Sequence, residues 1–181
     1  MKIFGIAGHS GMGKTTLLER LVPEIASRGL SVSLIKHSHK KNIDIDRPGK
    51  DSYRLREAGC MEVLLLGNDR WALMHELRGR AEPSLEQLLD RMQDCDLVLI
   101  EGFKHGDFPK LEVWRASVGQ PTLWPDWPGI QAIASDQPPT TPAELAVTPG
   151  LSHFNLRDIG SITEFVLSHA QVRRPNHGAK P

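Results

Sequence analysis

Gly8-His9-Ser10-Gly11-Met12-Gly13-Lys14-Thr15 has the spacing G-x-x-x-x-G-K-[ST]. Glycines at these positions let backbone N–H groups turn inward around phosphate oxygens, and a helix beginning at the last of them adds positive potential. Lys14 would then reach the outer phosphates, and Thr15 would offer its hydroxyl to Mg²⁺. A nucleoside triphosphate is the ligand this chemistry requires.

Such a site needs a carboxylate near the metal. The run Asp96-Leu97-Val98-Leu99-Ile100-Glu101-Gly102 offers two. In a parallel strand the phosphate loop lies at the C-terminal edge, and five residues at ~3.3 Å each put Asp96 about 16 Å from that edge. Glu101 is therefore the candidate, either coordinating Mg²⁺ through water or orienting an attacking water, and Asp96 is expected to be structural. Asp44, Asp46 and Asp51 lie in the stretch after the second predicted strand, which opens at the same edge, so Asp46 is a further candidate metal ligand. Lys50, Arg54 and Arg56 from the same stretch could meet phosphates or a second substrate. Asp136 follows a predicted strand and could accept two hydrogen bonds from the N1–H and 2-amino group of guanine, a donor pair that adenine lacks. As a turn residue before Pro138-Pro139 it would have no ligand role, and the sequence leaves both readings open.

These residues need a scaffold of strands and helices in alternation. Ile3–Ala7 is an apolar run that stops at glycine, as a buried parallel strand does. Thr15–Arg28 carries Leu17, Leu18, Leu21 and Ile25 at helical spacing, with Pro23 expected to kink or weaken its last turn. Val32–Lys36 reads as a strand and His37–Lys50 as a loop. Asp51 is expected to cap a short helix ending before Gly59, and Glu62–Leu66 with Trp71–His75 reads as a hairpin across Gly67-Asn68-Asp69. Ser84 and Gln87 form a possible capping box for a helix carrying Leu85, Leu88, Leu89 and Met92. Lys110–Arg115 alternates as a strand, Ile130–Ser135 is another, and Ile159, Ile162, Phe165, Val166 and His169 outline a last helix. The expected fold is α/β: a mainly parallel sheet flanked by helices around a P-loop, with a β-hairpin extension. We expect a single nucleotide-binding domain over residues 1–170 and a loose tail over 171–181.

Bulk properties set limits on partners. The chain has 181 residues, with 22 Lys and Arg balancing 22 Asp and Glu, so no global positive field exists to hold a nucleic acid or an anionic membrane. No apolar stretch reaches the roughly 18–20 residues needed to span a bilayer. Cys60 and Cys95 have no metal-ligand spacing and the chain opens on a strand-like run, which suggests the reducing cytoplasm. His37 and His39 would project oppositely if extended, so no zinc is expected.

Five segments together resemble the MobB family, the adapter proteins of molybdopterin guanine dinucleotide biosynthesis: GHSGMGKTTL from Gly8, IKHSHK from Ile35, DIDRPGKDSYRLREAG from Asp44, RWALMHEL from Arg70 and LVLIEGFK from Leu97. The second and third are the most specific, since many nucleotide-binding families share a phosphate loop. The resemblance implies a homodimeric GTP-binding protein, slow at hydrolysis, that assists a MobA-type guanylyltransferase as it joins GMP to molybdopterin. The partner performs the transfer, and molybdopterin itself is a candidate ligand of this chain. Carried over by position, Gly13, Lys14, Thr15 and Thr16 match the phosphate loop, and Glu101 matches the acidic end of the second motif. Chromosome-partition ATPases place a second lysine after the first loop glycine, where this chain has His9. Two other readings compete: a small-molecule kinase or ATP-dependent synthetase on the same fold, and a metallochaperone GTPase of nickel-enzyme maturation. The scattered placement of the eight histidines speaks against the last.

Overall fold

The computed structural model describes residues 1–38, 45–103, 106–124, 126–137 and 150–173. His39, Asp44, Pro138, Pro139 and the part of the expected tail beyond residue 173 lie outside the described residues. The chain divides into two compact units, Met1–His37 with Arg91–Pro181, and Ser38–Asp90.

The larger unit is built on a parallel sheet in the order β2 (Val32–Lys36), β5 (Leu97–Glu101), β1 (Lys2–Ala7), β6 (Lys110–Trp114), β7 (Ile130–Ser135) and β8 (Ser152–Asn155). The two longest apolar runs take the centre: every residue of β5 and all but Lys2 of β1 are buried. Helix α1 (Lys14–Ser27) returns from β1 and buries Leu17, Leu18, Leu21 and Ile25, its period-3.6 stripe. It runs through Pro23 for one further turn. Helix α4 (Ile159–His169) lies beside α1, capped by the Asp158 carboxylate accepting from Ser161 N–H. Ile162, Phe165 and Val166 face inward, with the Phe165 ring edge-on to Phe4 at 6.2 Å between centroids. Both helices cover the sheet face that presents Phe4, Ile6, Leu97, Leu99, Leu111 and Val113.

Two short strands escaped the sequence reading. β8 pairs with β7, and β9 (Gln171–Val172), placed in the tail by composition, pairs antiparallel with Lys2 and Ile3. β6 also differs from an ordinary alternating strand, because its polar positions are inside: Lys110 is 1% and Glu112 0% exposed. The Lys110 ammonium donates to the carbonyls of Gly106, Phe108 and Pro128, and the Glu112 carboxylate accepts from Leu123 N–H at 2.7 Å and Trp124 N–H at 3.0 Å. These two side chains fasten the neighbouring loops to the sheet.

The smaller unit contains helix α2 (Asp51–Glu57), the antiparallel pair β3 (Glu62–Leu66) and β4 (Trp71–His75), and helix α3 (Leu85–Leu89). Asp51 is the first residue of α2 rather than its cap, which is Lys50. There its charge still suits the helix N-terminus. The Ser84–Gln87 capping box forms, and α3 ends before Met92. Arg56 organises the unit, pairing with Glu76 at 2.6 Å and with Asp46 at 3.4 Å.

Candidate nucleotide site

β1 delivers the chain to the loop at Gly8, whose φ of +134° and close approach to β6 exclude a side chain: a Cβ there would lie 2.5 Å from the Val113 carbonyl oxygen. The loop then curls so that the Lys14 ammonium donates to the carbonyls of Gly8 and His9, both at 2.9 Å. Beside it lies a cavity of about 310 Å³ lined by Ser10, Gly11, Gly13, Lys14, Thr15, Lys36 and Glu101. The predicted phosphate loop and the predicted carboxylate thus meet at one C-terminal sheet edge.

Register explains the meeting. Ile6 on β1, Glu101 on β5 and Lys36 on β2 occupy one row across three adjacent parallel strands. Glu101 is buried and placed between two ammonium groups, with Oε1 at 4.0 Å from Lys14 Nζ and Oε2 at 3.0 Å from Lys36 Nζ. Burial lowers the Lys14 pKa, Glu101 opposes that shift, and Lys36 adds to it. Asp96 sits at the far end of β5, where Oδ2 accepts from Ser31 N–H at 2.8 Å and Ser31 Oγ at 2.6 Å. Those hydrogen bonds, the hydroxyl's first, hold its pKa below the usual carboxylate range.

The remaining candidates are placed less uniformly. Met12 is fully buried in the core below the loop, so only its backbone is available to a ligand. His9 and Thr16 do not line the cavity. Asp46 belongs to the smaller unit, where Oδ1 accepts from Arg47 N–H and Ser52 Oγ and Oδ2 faces Arg56. Oδ1 is thus engaged locally, whereas the buried Oδ2 has the Arg56 charge at 3.4 Å but no hydrogen-bond partner among the described residues. Asp136 follows β7 directly and its Oδ2 accepts from Arg115 at 2.9 Å.

Arg115, Lys36 and Glu112 were not anticipated as site or scaffold residues. Arg115 follows β6 and clasps the loop from outside: its backbone N–H points to the Met12 sulfur at 3.2 Å and its Nε donates to the Met12 carbonyl at 3.0 Å. A Cβ on Gly13 would come within 3.2 Å of the same guanidinium. For Lys36 and Arg115 a signal existed, since each lies at or just past the C-terminal end of a parallel strand, the reasoning that selected Glu101.

The residues present fit a Mg²⁺-bound triphosphate. The glycine loop leaves an open concavity beside Lys14 and Thr15, and the buried Glu101 Oε2 has no hydrogen-bond partner among the described residues despite its nearby ammonium. A buried oxygen of that kind is costly unless a further partner is bound.

Comparison with known proteins agrees with this geometry. Residues 3–136 match the family model described as molybdopterin guanine dinucleotide synthesis protein B, MobB. The chain is 37% identical over 172 residues to the molybdopterin-guanine dinucleotide biosynthesis adapter protein of Escherichia coli K12, covering 93% of each. It is 47% identical over 120 residues to the protein of the same name from Haemophilus influenzae, covering 66% of each. Its fold is that of the crystal structure of Bacillus subtilis MobB, with a TM-score of 0.73 at 24% identity over 96% of this chain and 100% of that one. A parallel sheet with its phosphate loop between β1 and α1, together with these matches, identifies a P-loop NTPase fold, and the chain belongs to the MobB family.

Proposed function

We propose that the protein is a GTP-binding adapter of molybdopterin guanine dinucleotide biosynthesis with at most slow GTPase activity. The observation that carries this is the Gly8–Thr15 loop, whose open concavity is shared by Lys14, Thr15 and Glu101. In this reading backbone N–H groups of residues 8–16 and the Lys14 ammonium hold the phosphates, and Thr15 and Glu101 hold Mg²⁺. The metal would neutralise charge on the outer phosphates. Asp136 would read guanine through the oxygen that Arg115 leaves unshared.

The guanylyl transfer itself falls to a MobA-type guanylyltransferase, with this chain binding the nucleotide and the partner, and molybdopterin as a further candidate ligand. We also propose a homodimer, supported by the hairpin of the smaller unit. Leu64 faces Leu73 and Leu66 faces Trp71 across the pair, and all four are 45–79% exposed. An apolar strand face of this kind is characteristic of a surface covered by a partner. Cys60 and Cys95 are both free thiols, consistent with a reducing cytoplasm. Among the described residues no helix is long and apolar enough to cross a membrane.

Calorimetric titration of the purified protein with GTP and with ATP, each with Mg²⁺, tests the reading. Tighter binding of GTP supports the adapter role and is to be followed by capture of the guanylyltransferase. Tighter binding of ATP would transfer the case to a small-molecule kinase or ATP-dependent synthetase.

A further inference from the structure

We propose that Lys36 is a second phosphate-binding cation, one that contacts the terminal phosphate and makes the site prefer a nucleoside triphosphate to a diphosphate. The proposal rests on the nucleotide-binding reading above. It begins with position. Lys36 closes β2, and period-two alternation puts its side chain on the same sheet face as Val32, which packs on the α1 side. Glu101, its register partner, projects to that face with Leu97 and Leu99. Adjacent strands are ~4.8 Å apart, so β2 lies roughly 10 Å from β1, whose loop holds the first phosphates. A polyphosphate leaving that loop toward the Lys36 and Glu101 side of the cavity would pass over β5 and present its last phosphate toward β2.

Charge gives the second argument. With Lys14 and Glu101 alone, the lining of the cavity would be neutral; Lys36 makes it +1. A Mg²⁺-bound triphosphate carries about −2 and the diphosphate about −1, so the added cation favours the longer chain. The Lys36 ammonium, about half exposed, is held at 3.0 Å from Glu101 in the ligand-free arrangement. Were Glu101 to hold Mg²⁺, that ammonium would give up its carboxylate and a terminal phosphate could take its place. Lys36 therefore exchanges one anion for another and never stands unpaired in the cavity.

A residue that only clamps Glu101 in the empty site would behave differently, because its removal would shift both nucleotides alike. The test is titration of wild type, Lys36→Met and Lys36→Arg with GTP and with GDP in Mg²⁺, circular dichroism checking the fold and Lys36→Gln standing in should Lys36→Met misfold. The expected result is at least a tenfold loss of GTP affinity in Lys36→Met, less than threefold for GDP, and near wild-type discrimination in Lys36→Arg. An unchanged GTP-to-GDP ratio in Lys36→Met overturns the role of Lys36 while leaving the nucleotide site standing. Wild-type protein that binds neither nucleotide removes both.

Discussion

Arg115 joins the phosphate loop to Asp136: its Nε donates to the Met12 carbonyl at 3.0 Å while Nη1 donates to an Asp136 oxygen at 2.9 Å. One guanidinium thus spans the loop and the carboxylate proposed to read the base. Pairing with guanine has to share Asp136 with Arg115 or displace it, so occupancy at the base end would be felt at Met12 and Gly13.

Asp136→Asn is expected to reduce the preference for GTP over ATP by ~1–3 kcal/mol, the range for a hydrogen bond to a charged group. Arg115→Met should lower affinity for both nucleotides, because the loop loses its outer clasp, while leaving Asp136 free for guanine. Paired titrations of both variants with the two nucleotides decide the matter. An unchanged ratio in Asp136→Asn would make that carboxylate a brace for Arg115 and nothing more.

Lys14→Ala removes the cation from the loop and should weaken GTP binding by at least ~1.5–3 kcal/mol, or tenfold to over a hundredfold. The fold should persist, since among the described residues the Lys14 ammonium donates to the Gly8 and His9 carbonyls alone and faces Glu101 across 4.0 Å. Affinity equal to wild type in a variant with native circular dichroism would disprove the phosphate-loop assignment.

Burial pushes the Glu112 carboxyl up to about 7 from 4.5, against the opposing pull of the Leu123 and Trp124 N–H groups. The folded protein holds this proton more tightly than the unfolded chain. Its contribution to stability is therefore complete below about pH 4.5, declines as pH rises toward 7, and is absent above. The span corresponds to about 3 kcal/mol at most. Urea unfolding of wild type and Glu112→Gln at pH 5 and pH 8 should show the wild type losing relative stability at the higher pH. A pH-independent difference would mean that Glu112 stays ionised throughout this range.

Leu66→Asp combined with Trp71→Asp places two charges on the exposed face of the hairpin. Sedimentation equilibrium is expected to report a dimer for the wild type, as proposed, and a monomer for this variant. A variant that remains dimeric would locate the contact elsewhere.

Much of the site was legible in the sequence because its parts obey local rules. The glycine spacing marks the loop, and the short apolar runs Ile3–Ala7 and Leu97–Ile100 suit buried parallel strands, whose ends then locate Glu101. What stayed hidden depends on distant partners. Ser152–Asn155 contains one apolar residue and becomes a strand only because β7 leaves an edge to pair with. Lys110 and Glu112 look like a wet strand face until the carbonyls and N–H groups of neighbouring loops close over them. Arg115 lies a hundred residues from Met12 and meets it only through the adjacency of β1 and β6.

The two crowded glycines of the loop answer to different neighbours. At Gly8 the obstacle is the main chain of β6, which cannot move without breaking the sheet, whereas at Gly13 it is the tip of the Arg115 side chain. In a library randomised at both positions, selection for folding alone should already return glycine at residue 8. Position 13 adds a φ of +94° to that contact, so varying Arg115 relieves only the crowding, and selection for folding should still favour glycine there, though less strictly than at residue 8.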